Sequence, residues 1–262
     1  MRNKNQLTFW EHIDELRECI IRICVVFVLC SVIAFFFKEE IFSIVFAPRG
    51  KDFITYKLMV DLNELLNYST TIKCDEIKLI NTGLASQFMI HFKLAFQVGF
   101  LLSFPYLLFQ SIKFVSPALH KQEKKYVISI SICSCIMFAL GTLLAYYIIF
   151  PFTYQFLSTY QVSELVENLI SLQSYIDNFI SITLFCGIAF NIPIFAWILA
   201  KFGVINAPMM KEYRRHCIIA ILIIAAIITP TSDIFTLALV STPLLLLYEI
   251  SIFIVSRTKK IL

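Results

Sequence analysis

The chain has 262 residues, of which 59% are hydrophobic and 15% charged, with a mean hydropathy of +0.80. Soluble domains carry roughly a quarter charged residues, so an ordinary soluble domain is excluded. The net charge of +4 comes without a basic stripe interleaved with aromatics, which argues against a nucleic-acid binder. Several apolar runs approach or exceed the ~20 residues that cross a bilayer, which predicts an all-α polytopic membrane protein forming a single domain over 1–262.

Residues Phe9 to Arg17 read Phe-Trp-Glu-His-Ile-Asp-Glu-Leu-Arg. Thr8 and Glu11 have capping-box spacing, which predicts a helix start. Phe9, Ile13, Leu16 and Ile20 form one apolar stripe, with Glu11, Asp14, Glu15 and Glu18 off it. Residues 1–19 are therefore an amphipathic lead-in at a membrane surface, presenting carboxylates to a cationic partner. The segment is too acidic, and lacks a small-residue cleavage site, for a cleavable signal.

The first span is predicted over Ile20–Phe37, with Arg22 at its charged edge. The loop at 38–86 contains Ala47-Pro48, Tyr56, Asp61, Glu64 and Cys74, and is long enough to fold as a cap with its own short helices. The second span, Phe88–Phe114, carries Lys93 near its loop end, placed to snorkel, and Pro105, which predicts a kink. The third, Tyr126–Phe150, is predicted to end at Pro151. The fourth, Tyr175–Phe202, has Asn191-Ile192-Pro193 in its middle. The fifth run, Cys217–Thr229, covers only ~20 Å, short of the ~30 Å hydrocarbon core. The sixth, Ile234–Val255, is predicted to be broken by Pro243. Together, the short fifth and broken sixth spans would thin the local bilayer and offer a groove to a partner helix.

Six spans put both termini on one side. The N-terminal segment, the second and fourth connections and the C-terminus hold nearly all the Lys and Arg, while the short third and fifth connections hold none. Both termini are therefore expected to be cytoplasmic. No repeat relates the two halves, which disfavours the main alternative, a secondary transporter for a small solute.

No phosphate-cradling Gly-x-x-x-x-Gly-Lys-Ser/Thr and no His-Glu-x-x-His occurs. No catalytic or cofactor-binding set emerges, so recognition or transport is expected rather than catalysis. Cys24, Cys30, Cys133, Cys135, Cys186 and Cys217 fall in or beside apolar runs and are expected to be small buried hydrophobes, not a disulfide framework.

At this point an ordered series of motifs stands out. It runs through His12-Ile13-Asp14-Glu15-Leu16-Arg17, Ala47-Pro48, Ser103 to Gln110, and Phe114-Val115-Ser116-Pro117-Ala118-Leu119 with Glu123-Lys124-Lys125. It continues through Phe150-Pro151, Phe190-Asn191-Ile192-Pro193, Tyr213-Arg214-Arg215, Thr229-Pro230-Thr231-Ser232-Asp233 and Tyr248-Glu249. In order and spacing the series resembles the TatC subunit of the twin-arginine protein translocase over nearly the whole chain.

The resemblance implies a cup-like bundle of six transmembrane helices that receives twin-arginine signal peptides of folded precursors on the cytoplasmic side. It implies an oligomeric complex with single-span TatA and TatB type partners, driven by proton-motive force without ATP or a cofactor. A bacterial cytoplasmic membrane is expected in preference to a mitochondrial inner membrane. Carried over by motif, Glu15 and Glu123 would receive the two signal arginines, because a guanidinium bonds a carboxylate in a bidentate fork that lysine cannot reproduce. Arg17 would help orient the carboxylates, and Phe114 and Pro48 would shape the chain. Phe88, Asn191, Asp233 and Glu249 also match sensitive positions, with N-capping by Asp233 and a base partner for Glu249 as the plain structural roles. Many relatives carry Glu or Gln where this chain has Asn191, which cannot ionise, so hydrogen bonding rather than proton relay is implied there.

Overall fold

The computed structural model describes residues 9–50, 52–65, 79–115, 127–161, 163, 168–229 and 233–258. Among them the secondary structure is helical apart from one isolated bridge. The helices are α1 (Phe9–Phe36), α2 (Lys38–Phe46), α3 (Ile54–Leu65), α4 (Ser86–Val115), α5 (Val127–Leu144), α6 (Phe150–Thr159), α7 (Leu172–Ala189), α8 (Ile192–Lys201), α9 (Ala207–Glu212), α10 (Arg214–Ile228) and α11 (Ile234–Arg257). Among the described residues, five stretches are long and apolar enough to cross a membrane: Ile13–Phe36, Ser86–Phe114, Ile128–Thr159, Leu172–Lys201 and Ile234–Arg257. The short run predicted from sequence is α10, whose 15 residues span roughly 22 Å. The capping box expected at Thr8 and Glu11 lies outside the described residues, although α1 does begin at Phe9.

Contacts gather into two units, Met1–Lys38 with His91–Ile136 and Glu39–Ile90 with Met137–Leu262. In the first, α1 packs along α4. Phe27 meets Phe96 and Phe100 with ring centroids 5.8 and 6.4 Å apart. Phe35 stacks on His91 at 4.1 Å, and His91 Nε2 lies 3.0 Å from the Phe35 carbonyl. Gly99 sets how closely the helices approach, since a Cβ there would lie 2.7 Å from Ser31 Cα. Small residues play this part in membranes because dispersion contacts, not water, drive helix association. The same helix α4 runs on through Pro105.

The second unit contains the short helices described in the segment between the first two long spans. α2 leads into a 3₁₀ turn, Ala47–Arg49, in which Pro48 is buried, and α3 follows. Tyr146 Oη donates to the Ile44 carbonyl and Tyr175 Oη to the Val45 carbonyl, each at 2.8 Å. Phe53 stacks on Tyr147 at 5.6 Å. Ile80 bridges Ser171, with its amide 3.0 Å from the Ile170 carbonyl.

The prolines do not behave as sequence rules predict. Pro151 should end the third span, yet the helix continues to Thr159 through a π-helical turn, Ala145–Ile149. A proline deprives the carbonyl four residues earlier of its partner, and here that carbonyl belongs to Tyr147. The Thr55 hydroxyl donates to it from α3, and Tyr56 Oη donates to the Pro151 carbonyl at 3.2 Å. Both helical turns are thereby kept, and the wider turn spreads the misfit. Pro243 likewise leaves α11 unbroken. Nearby, Ser241 and Thr242 hydroxyls donate to the Ala238 carbonyl at 3.2 and 2.7 Å. The fourth span does break, at Phe190–Asn191, into α7 and α8.

Cys186 is buried as expected, but Cys24 and Cys133 are exposed and Cys30, Cys135 and Cys217 half-buried. A weakly polar thiol tolerates a lipid-facing position, so apolar runs do not by themselves predict cysteine burial. All the described cysteines are free.

Thr55→Val should lower the thermal midpoint of the purified protein, by an unfolding cost of about 1–3 kcal/mol for leaving the Tyr147 carbonyl without its donor. An unchanged midpoint would show that the carbonyl does not depend on Thr55.

Candidate functional site

On α1, Glu15, Glu18, Cys19 and Arg22 recur at i, i+3, i+4 and i+7, which puts them on one helix face. On α4, Gln110, Lys113 and Phe114 share a face by the same spacing. The first unit brings the two faces together around a cavity of about 320 Å³. Gln110 is buried, and its Nε2 donates to Tyr106 Oη at 2.7 Å. Phe114 is half-buried and gives the cavity an aromatic wall. Arg22 Nη2 lies 2.7 Å from Glu18 Oε2, with both side chains more than half exposed. The cavity thus combines two carboxylates, a guanidinium, an ammonium and a buried carboxamide. That set can bind a cationic peptide segment. Among the described residues no cluster of His, Cys, Asp or Glu could hold a metal ion.

The cavity contains two of the residues the sequence pointed to, Glu15 and Phe114. Arg17, only two positions from Glu15, is exposed and does not line it. The cations beside Glu15 are instead Arg22 and Lys113. Sequence reasoning counted Glu18 only among the lead-in carboxylates presented to a cationic partner, and gave Arg22, Lys113 and Gln110 no site role. The i, i+3, i+7 recurrence from Glu15 was the available signal for the first two, whereas the last two needed the pairing of α1 with α4. Glu123 lies outside the described residues.

The other singled-out residues lie in the second unit. Pro48 is buried in the 3₁₀ turn of the cap. Phe88 is exposed on the first turn of α4. Asp233 caps α11, its carboxylate accepting from the Thr236 amide at 2.7 Å. Glu249 pairs with Arg214, Oε2 to Nη2 at 2.6 Å, the base being the first residue of α10 rather than part of a loop. Next to it, Tyr248 Oη donates to the Met210 carbonyl at 2.7 Å, which ties α9 to α11. Lys93, by contrast, belongs to the first unit and lies on α4 near the end expected for snorkelling.

Asn191 is only 1% exposed at the α7–α8 break. Its Nδ2 donates to the Gly187 carbonyl at 3.3 Å, while Oδ1 is buried with no partner among the described residues. Pro193 explains the break, because its ring disfavours helical geometry just before it and removes a donor. The side chain of Asn191 mends part of the interrupted ladder.

A family model described as Sec-independent protein translocase protein (TatC) matches residues 11–243. The protein of that name from Blattabacterium sp. subsp. Periplaneta americana is 37% identical over 259 residues, covering 97% of each chain. The one from Aquifex aeolicus is 33% identical, covering 95% of this chain and 96% of the other. Two crystal structures of the twin arginine translocase receptor TatC match the fold. One has a TM-score of 0.75 at 33% identity, covering 93% of this chain and 97% of the other, and a second, in DDM, has 0.78 at 32%, covering 94% and 99%. The family works in protein transport rather than catalysis. This chain belongs to the TatC family of Sec-independent protein translocase proteins.

Proposed function

We propose that this protein is the receptor for twin-arginine signal peptides and the core subunit of a proton-motive-force-driven translocase for folded proteins. The observation that carries this is the cavity in which Glu15, on the lead-in helix, faces Phe114 and Lys113 of α4. A carboxylate at the mouth of an otherwise apolar membrane segment holds a guanidinium through two charge-assisted hydrogen bonds. Glu123 is the second acceptor by motif, and Arg17 and Phe114 belong to the same end of the protein. Pro48 and Phe88 shape the cap and the start of α4.

The single domain spans 1–262 and crosses the membrane six times, with both termini cytoplasmic. α10 supplies the fifth crossing despite its 15 residues, by thinning the bilayer around it. Its exposed isoleucines Ile219, Ile223 and Ile227 offer a face to a single-span helix of TatA or TatB type. Asp233 caps the start of α11, and Glu249, about two turns before its end, ties it to Arg214 of α10. The relatives are bacterial, which supports a bacterial cytoplasmic membrane.

A photocross-linking peptide bearing Arg-Arg should label this protein in membranes, and its Lys-Lys counterpart should not. Glu15→Arg should cut labelling roughly tenfold or more, in line with the loss of a hydrogen bond to a charged group, while the protein stays inserted. Equal labelling by both peptides, or full labelling of the variant, would contradict the receptor function.

Asn191→Leu should reduce export of a twin-arginine reporter several-fold at unchanged protein level. The substitution removes both the Gly187 bond and the buried acceptor that water or a polar partner could reach. Normal export by this variant would rule out a hydrogen-bonding role for Asn191.

A further inference from the structure

The cavity already holds a guanidinium of its own. Arg22 sits one helical turn beyond Glu18 with Nη2 2.7 Å from Oε2, and both residues line the space that Glu15 lines. Given the receptor function proposed above, we propose that Arg22 is a displaceable internal ligand of Glu18, and that Glu18 is a specificity-determining residue for the signal peptide. A signal arginine takes over the Glu18 carboxylate, and Arg22 swings out towards water and lipid headgroups.

Three features of the geometry support this exchange. First, the group resting on Glu18 in the absence of peptide is chemically the group that the peptide brings. The Glu18 site thus accommodates a guanidinium in at least one approach, which an ammonium would match only as a point charge. Second, charges around the cavity balance. Glu15 and Glu18 are offset by Arg22 and Lys113, so a doubly cationic segment meets no net attraction until Arg22 leaves and one negative charge is uncovered. Third, displacement costs little. The side chains of Arg22 and Glu18 are 54% and 68% exposed. Exposed i, i+4 pairs are weak and screened by salt, so the internal ligand lowers peptide affinity by no more than about fivefold. The pair therefore acts as a filter. A ligand that binds Glu18 no better than Arg22 does gains nothing by displacing it, which disfavours lysine and single charges.

The test uses the full chain in lipid nanodiscs and equilibrium binding of fluorescent peptides bearing Arg-Arg or Lys-Lys. Arg22→Gln should tighten Arg-Arg binding about two- to fivefold, because the competitor is gone. Arg22→Lys should fall between Arg22→Gln and the unmodified protein, because the charge remains without the fork. Glu18→Gln should weaken Arg-Arg binding about tenfold and narrow the ratio between the two peptides. Unchanged or weaker binding in Arg22→Gln, or an unchanged ratio in Glu18→Gln, would overturn the proposal. The receptor function would survive that result if the unmodified protein prefers Arg-Arg and Glu15→Gln removes the preference. No preference in the unmodified protein would overturn both.

Discussion

A backbone carbonyl inside a bilayer has no water to turn to, so every one freed by a proline must find a donor within the protein. Much of the observed architecture meets that demand. Pro151 would orphan the Tyr147 carbonyl, and the Thr55 hydroxyl of α3 donates to it. The segment between the first two long spans is therefore more than a connection, because its α3 helix closes a hole in the hydrogen-bond ladder of the third span. At the α7–α8 break the remedy is local, and Asn191 donates to the Gly187 carbonyl. Each repair uses a polar side chain that composition alone would place oddly within an apolar span.

The same economy of polar groups explains why the candidate site stands out. α1 carries its charges in its first four turns and is almost wholly apolar thereafter. Facing it, α4 contributes Gln110 and Lys113 near its C-terminal end. The result is a small charged cavity at the boundary between a polar lead-in and an apolar span, where an arginine-bearing peptide with a hydrophobic continuation would meet both. Gly99 and the Phe27, Phe96 and Phe100 rings keep the two helices in contact. The chemistry of the site and the packing of the span therefore come from one helix pair.

Much of this was legible in the residues, wherever the determining information is local. The apolar runs located the five long spans and the short α10, and the loop length anticipated helices in the cap. Asp233 announced an N-cap through its place before an apolar run, and Glu249 a base partner. What escaped depended on contacts distant in sequence. Proline rules predicted an end at Pro151 because the donor that rescues the helix lies 92 residues away in Thr55. Arg17, expected to help orient the carboxylates, stands two residues from Glu15, and residues so spaced on a helix point to nearly opposite sides. Arg22, a full two turns on, shares the face. Family motifs named Glu15 and Phe114, which line one cavity, but not Lys113 and Gln110, which come into view only once α1 and α4 are paired.

On the function proposed for this TatC-family chain, selectivity lies in the bond between a carboxylate of this cavity and a guanidinium of the peptide. The most direct measurement is a double-mutant cycle between Glu15→Gln in the protein and Arg→Lys in the signal peptide, read by equilibrium binding. If Glu15 receives a signal arginine, the two changes overlap, and the coupling energy should exceed about 1 kcal/mol. Strictly additive effects, with a coupling near zero, would mean that the arginine is recognised elsewhere.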